Sequence, residues 1–90
     1  MGEVDCLEVD GCELFFNSDD HLPPHFHAEY DRGEVRVFYL RDRPELELRW
    51  GQEAKQKIRR ALVEGARTHR LELHEEWGRK VGVRTPGPER

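Results

Sequence analysis

The stretch HFHAEYDRGEVRVFYL, residues 25–40, decides the fold because apolar and polar side chains alternate on both sides of a turn. In residues 25–30 the apolar side chains would share one face of a strand, since successive side chains of a strand point to opposite faces. Residues 34–40 form the second strand, and Asp31-Arg32-Gly33 supplies the turn between them. We therefore predict two adjacent antiparallel strands.

The flanking sequence extends this pair into a larger sheet. Residues 3–9 and 12–17 also read as strands, and the Asp10-Gly11 dipeptide between them is a strong signal for a hairpin turn. The segment ELELRW, residues 45–50, adds a short fifth strand. We expect these strands to follow one another as an antiparallel meander.

After Gly51 the apolar period changes from two residues to three or four, which is typical of one face of an α-helix. No proline interrupts residues 52–80, so we predict one long helix that bends near Gly65 or Thr68. The fold class is then α+β, an antiparallel meander of four or five strands packed against one long C-terminal helix. The predicted core consists of Leu14, Phe16, Phe26, Tyr30, Val35, Val37, Ile58, Leu62, Leu73 and Trp77.

The 90 residues suffice for one small domain, which we place at residues 1–82, with a flexible tail at 83–90 that is rich in Gly and Pro. No apolar run approaches the ~20 residues of a membrane span. The first ten residues, MGEVDCLEVD, do not read as a signal peptide, so we expect a cytoplasmic protein without a membrane partner. Cys6 and Cys12 do not form a disulfide framework, and we expect two buried or half-buried thiols.

The net charge of −4 conceals an uneven distribution of charge along the chain. Nine acidic residues and no lysine or arginine precede Arg32, whereas all 15 basic residues follow Asp31. The helix carries a basic stripe that includes Arg59, Arg60, Arg67 and Arg70. Such a stripe is most often a solvated face, and the alternative is contact with an acidic partner or with nucleic-acid phosphates.

Three of the five histidines, His21, His25 and His27, lie within seven residues. His25 and His27 would share one strand face with Glu29, and two prolines stiffen the loop that carries His21. Three imidazoles, with Asp20 or Glu29 as an oxygen donor, would suit Zn or Fe. A structural or partner-binding role is the alternative, in which the imidazoles bind loop carbonyls or acidic groups. His69, on the apolar side of the helix, is a further candidate.

Several segments resemble a small bacterial family called domain of unknown function 4160. They are Val9-Asp10-Gly11, Leu14-Phe15-Phe16, the string Asp20-His21-x-Pro23-Pro24-His25-Phe26-His27-Ala28-x-Tyr30, and His69-Arg70-x-Glu72-Leu73-x-x-x-Trp77. The resemblance covers roughly residues 7–80, and residues 41–51 depart from it most. It implies a compact strand-rich fold with a C-terminal helix. Genes of this kind often occur in arrangements like toxin–antitoxin pairs, which favours a protein-binding role and allows a nuclease.

Three functions follow from these features. The first is a protein-interaction module, in a toxin–antitoxin-like pair or a homo-oligomer, that uses the His21–His27 loop, a strand edge or the basic helix. The second is a metal-dependent hydrolase or nuclease, with His21, His25 and His27 as ligands. The third is binding of the nucleic-acid backbone by the basic helix. The sequence does not decide whether the protein is an enzyme.

Overall fold

A computed structural model describes residues 2–81 as a five-stranded antiparallel sheet followed by two helices. The strands are β1 (Gly2–Glu3), β2 (Glu13–Phe16), β3 (Phe26–Tyr30), β4 (Gly33–Phe38) and β5 (Glu45–Gly51), and the helices are α1 (Gln56–Thr68) and α2 (Arg70–Lys80). The strand order in the sheet is β1-β2-β3-β4-β5, which is the predicted meander. The α+β class is confirmed. The tail predicted at residues 83–90 lies outside the described residues.

The prediction of one long helix is wrong, because the helical segment divides at His69. The backbone of His69 has φ −108° and ψ 26°, outside helical values, although its N–H still donates to the carbonyl of Gly65. The break gives each helix its own contact with the core, through Leu62 and Ala66 in α1 and through Leu73 and Trp77 in α2. The helix also starts later than predicted, at Gln56, because Gly51 has φ 82°, Gln52 is in a bend and Lys55 has an extended backbone.

The N-terminal strand is much shorter than the predicted residues 3–9. Strand β1 contains only Gly2 and Glu3, and after one further backbone hydrogen bond, from the Val4 N–H to the Leu14 carbonyl, the chain leaves the sheet. The carboxylate of Glu76 in α2 accepts the backbone N–H groups of Asp5 and Cys6, at 2.8 and 2.9 Å. These donors therefore bind a helix side chain rather than a neighbouring strand. The predicted turn at Asp10-Gly11 is present, and Gly11 has φ 85°.

The core lies between one face of the sheet and the helices. Of the ten predicted core residues, nine are buried and Ile58 is half-buried against them. Strand register fixes the two faces, since Phe26 pairs with Val37 and Ala28 with Val35 on the core side. The alternate residues, which include His27, point to the second face. We call this second face, carrying Phe15, His27, Glu34 and Arg36, the histidine face. Cys6 and Cys12 are free, half-buried thiols.

Candidate metal site

His27 is the centre of the histidine face. It lies in β3, directly opposite Phe15 of β2 and Arg36 of β4. The Phe15 ring stacks on the imidazole, with 5.1 Å between ring centroids and 12° between the planes. Only 1% of His27 is exposed. Its imidazole is therefore held in one orientation by packing on the sheet.

Glu34 in β4 binds the nitrogen of His27 that faces away from Asp20. The Nδ1–H of His27 donates to Oε2 of Glu34 at 2.9 Å. This carboxylate is itself buried, and it also accepts hydrogen bonds from Arg49 at 3.1 Å and from the Trp50 indole at 3.2 Å. With Nδ1 occupied in this way, Nε2 of His27 is turned toward the loop that precedes the strand. A carboxylate that orients a histidine through its second nitrogen is common behind metal-binding imidazoles.

His25 is oriented in the same manner by the backbone. Its Nδ1–H donates to the Pro23 carbonyl at 2.9 Å, so Nε2 is free to face Asp20. The ring packs near Phe38 and Trp77, and the residue is 4% exposed. Burial lowers the pKa of His25 below its ordinary value of 6.5, partly offset by the Pro23 hydrogen bond and by Asp20. The neutral imidazole, which is the form that binds metals, is therefore favoured.

Asp20 completes the group from the loop. A turn joins the Asp20 N–H to the Asn17 carbonyl, and the Asn17 N–H donates to Oδ2 of Asp20 at 3.0 Å. Oδ1 then lies 2.9 Å from Nε2 of His27 and 3.5 Å from Nε2 of His25. The Asp20 side chain is 9% exposed, and no lysine or arginine of residues 2–81 forms an ion pair with it.

These three side chains form a group that could hold a metal ion. Asp20, His25 and His27 each offer one ligand atom, and all three atoms lie within 4.8 Å of one another. Two imidazole nitrogens and one carboxylate oxygen form the donor set of several zinc and non-haem iron sites. A neutral His27 has a single N–H, which Glu34 accepts. Its close contacts with both carboxylates therefore require an additional proton, on the imidazole or on a carboxyl, or a cation between His27 and Asp20.

The group borders a groove of about 540 Å³. Arg36, Arg41 and Arg49 line it together with Phe38 and the exposed His21. Each of the three arginines lies within 3.6 Å of a carboxylate oxygen of Glu47, Glu45 or Glu34. A ligand in this groove would thus meet nearly balanced charge, with the buried imidazoles on one side.

Comparison with protein families gives one match. The family described as "Domain of unknown function (DUF4160)" matches residues 11–78, which is well over half of the chain. The chain belongs to this family. The resemblance drawn from the sequence motifs is therefore confirmed, and the family description assigns no activity. Neither a curated protein nor a solved structure matches the chain.

The other candidate residues of this DUF4160 domain lie apart from the group of three. His21 is exposed on the loop. The third member of the group is Asp20, whereas His21 was the predicted third ligand. Glu29 is half-buried in β3, opposite Glu13 and Glu34. His69 lies at the junction of the two helices, where its Nδ1 is 3.0 Å from a carboxylate oxygen of Glu72.

The predicted basic stripe of the helix is only partly exposed. Arg59, Arg60 and Arg67 are exposed along α1. Arg70 is half-buried instead, and its guanidinium donates to the carbonyls of Arg41 and Asp42 at 2.9 and 3.4 Å. Arg70 therefore anchors the β4–β5 loop and is not part of the exposed face.

Sequence reasoning did not single out Glu34, whose carboxylate orients His27. The alternation of residues 34–40 already places Glu34 and Arg36 on one face of the strand. Assigning Glu34 to His27 also needs the strand register, in which Arg36 lies opposite His27. That register follows from the tight turn between β3 and β4, where Tyr30 pairs with Gly33.

No helix of the described residues is long and apolar enough to cross a membrane.

Proposed function

We propose that this DUF4160 domain binds a divalent transition-metal ion through Asp20, His25 and His27. The observation that carries the proposal is the shared orientation of the two imidazoles. Each Nδ1–H donates to a fixed acceptor, Pro23 or Glu34, and each Nε2 faces the same carboxylate. This arrangement leaves three electron-pair donors directed at one small volume.

The electrostatics of the buried group support a cation. Asp20 and Glu34 bring two carboxylates into a site with very little exposure to water, and only Glu34 has an arginine partner. A largely buried carboxylate without a lysine or arginine partner is costly, so its charge must be compensated by an imidazolium or by a metal ion. A metal ion would satisfy Asp20 and both Nε2 atoms together. In a tetrahedral zinc site the ligand atoms lie roughly 3.3 Å apart, which requires a small inward movement of the His25 and His27 rings.

The chemistry of such a site depends on its unfilled coordination position. Three protein ligands leave at least one position for water or for a substrate atom, as in catalytic rather than structural zinc sites. The groove beside the group gives that position access to small molecules. Metal-dependent hydrolysis is the reaction class that this arrangement supports, because a bound divalent ion lowers the pKa of water. The sequence-based hypothesis of a toxin–antitoxin-like component stays a prediction.

A cobalt and zinc titration tests the proposal. The protein is purified without a histidine tag, stripped with a chelator, and titrated with Co²⁺ while the visible absorption is recorded. We expect one ion per chain, visible bands of a low-symmetry nitrogen and oxygen site, and competition by Zn²⁺. Asp20→Asn and His27→Ala should weaken binding by about a hundredfold, since each removes one ligand.

Two histidines outside the group provide matched controls. His21→Ala removes the exposed imidazole of the same loop, and His74→Ala removes one that contacts the Tyr39 hydroxyl. Both variants should bind Co²⁺ like the wild type. Equal binding by wild type and His27→Ala, or loss of binding in His21→Ala alone, would contradict the assignment of these ligands.

A further inference from the structure

A second groove lies away from the histidine face. It has a volume of about 800 Å³ and is lined by α1 and by the chain around the start of β5. Four arginines line it, Arg43 from the loop before β5 and three from the helix, against the single acid Glu64. We call this the basic groove, defined by Arg43, Arg59, Arg60 and Arg67.

The positive charge of the basic groove is largely uncompensated. Arg43, Arg60 and Arg67 form no ion pair with any residue of the described chain, and Arg59 pairs with Glu53 at 2.9 Å. The arginines beside the candidate metal site differ, since Arg36, Arg41 and Arg49 each contact a carboxylate. Although the whole chain is acidic, this groove is therefore a locally cationic surface.

The bases near the start of α1 oppose the electrostatics of their own helix, whereas Arg67 in its last turn is favourably placed. The first turn of α1 contains no acid and has no side-chain cap, whereas Lys57, Arg59 and Arg60 lie close to its positive N-terminal end. The second helix follows the favourable pattern, with Glu72 in its first turn and basic residues in its last turn. A helix selected for stability alone would not place bases at its start, so these bases fit a role in binding.

The rest of the groove indicates the kind of anion. Pro44, Leu46 and Val63 provide apolar lining between the arginines, and no aromatic ring lines it on which a nucleic-acid base would stack. The groove also adjoins β5, the last strand of the sheet, whose outer edge has no partner strand among the described residues. Such an edge can pair with the backbone of an extended peptide.

We infer that the basic groove binds an extended acidic segment of a protein partner. Carboxylates of the segment would pair with Arg43, Arg60 and Arg67, and an apolar side chain would lie on Leu46 and Val63. The surface and its residues are separate from the metal ligands, so this inference does not depend on the proposed metal site.

Fluorescence anisotropy tests the inference with a short labelled peptide in which glutamates alternate with leucine and serine. We expect binding that weakens as salt is raised, because the pairs are solvent-exposed. The double variant Arg60→Glu/Arg67→Glu should lose about tenfold or more in affinity. Arg79→Glu, a single charge reversal of the same kind at an exposed α2 position outside the groove, should bind like the wild type.

Thermal unfolding separates lost binding from lost structure. The two substitutions have opposite effects on the dipole of α1, since position 60 lies toward its N-terminal end and position 67 lies in its last turn. Both also place an acid one turn from Glu64, so the double variant should unfold slightly below the wild type but remain folded at the assay temperature. Failure of the wild type to bind the peptide, or equal binding by the double variant, would overturn the inference. Tighter binding of a lysine-containing control peptide than of the acidic peptide would also overturn it. Tighter binding of a DNA duplex than of the acidic peptide would overturn it as well and would assign the groove to nucleic acid.

Discussion

Glu34 and His27 lie on adjacent antiparallel strands, and a 2.9 Å hydrogen bond joins Oε2 of Glu34 to Nδ1 of His27. This bond is on the side of the imidazole away from Asp20. It keeps the second nitrogen, Nε2, directed at the Asp20 carboxylate. The properties of the candidate site therefore depend on a residue that would not itself touch the metal ion.

Replacing Glu34 tests this dependence. Glu34→Gln removes the negative charge behind His27 and weakens the preference for the Nδ1–H form, so we expect Co²⁺ and Zn²⁺ affinity to fall by about 10- to 100-fold. Titration calorimetry measures the change. Glu47→Gln is the control, because Glu47 lies on the same face but is exposed and pairs only with Arg36. Equal affinities in both variants would show that Glu34 does not tune the site.

Glu76 should make the free energy of unfolding depend on pH. Burial alone would raise the pKa of its carboxyl, but hydrogen bonds from the Asp5 N–H, Lys80 and Cys6 outweigh burial and hold this pKa below 4.5. A carboxyl with a lowered pKa in the folded state stabilises the fold above its unfolded value. That contribution is lost as the pH falls through the lower folded-state pKa.

The test is urea unfolding of Glu76→Gln. At neutral pH the variant should be less stable by about 2–4 kcal/mol, because two partly buried backbone N–H groups and Lys80 lose a charged acceptor. The difference from wild type should shrink as the pH is lowered through the depressed pKa of Glu76, because the wild-type carboxyl then also becomes neutral. Glu75→Gln, at the exposed neighbouring position, should change little at either pH. A constant difference across this range would contradict the role given to the charge.

Two glycines of the helices should respond in opposite ways to alanine. A Cβ on Gly65 would lie 2.5 Å from Cδ1 of Leu7, whereas a Cβ on Gly78 would meet nothing within 4 Å. Alanine raises helix stability by about 1 kcal/mol at either position. Overpacking against the buried Leu7 costs about 1–3 kcal/mol, so the net effect of alanine at Gly65 should be a loss of stability. Thermal unfolding should show a lower midpoint for Gly65→Ala and a higher one for Gly78→Ala, and two increases would refute the tight contact.

Local sequence patterns predicted the elements whose contacts are local. The alternation of residues 25–40 predicted β3 and β4 and placed His27 on the face opposite the core, because a strand alternates faces whatever it packs against. His25 lies just before β3, where its ring contacts both Phe38 and Trp77. The break at His69 was not predictable in this way. It depends on α1 and α2 each docking its own apolar side chains, Leu62 and Trp77 among them, against the sheet.

The N-terminal segment and the candidate site also depend on contacts that local sequence patterns do not predict. Residues 3–9 alternate like a strand, yet the N–H groups of Asp5 and Cys6 bind Glu76, some seventy residues away in the sequence. Likewise the cluster of histidines predicted a metal site, but the approach of Asp20 to His25 and His27 depends on the turn at Asn17. Such long-range and turn-specific contacts are set by tertiary structure and leave no periodic trace in the sequence.

Anomalous X-ray diffraction from crystals grown with Zn²⁺ tests the metal site most directly. Data collected on both sides of the zinc absorption edge should show one strong peak per chain, about 2.0–2.2 Å from Nε2 of His25, Nε2 of His27 and a carboxylate oxygen of Asp20. Electron density for water or another small ligand should complete the coordination on the groove side. A hydrogen-bonded Asp20–His27 pair with no anomalous peak between these residues, at a zinc concentration that saturates the protein in solution, would contradict the proposed site.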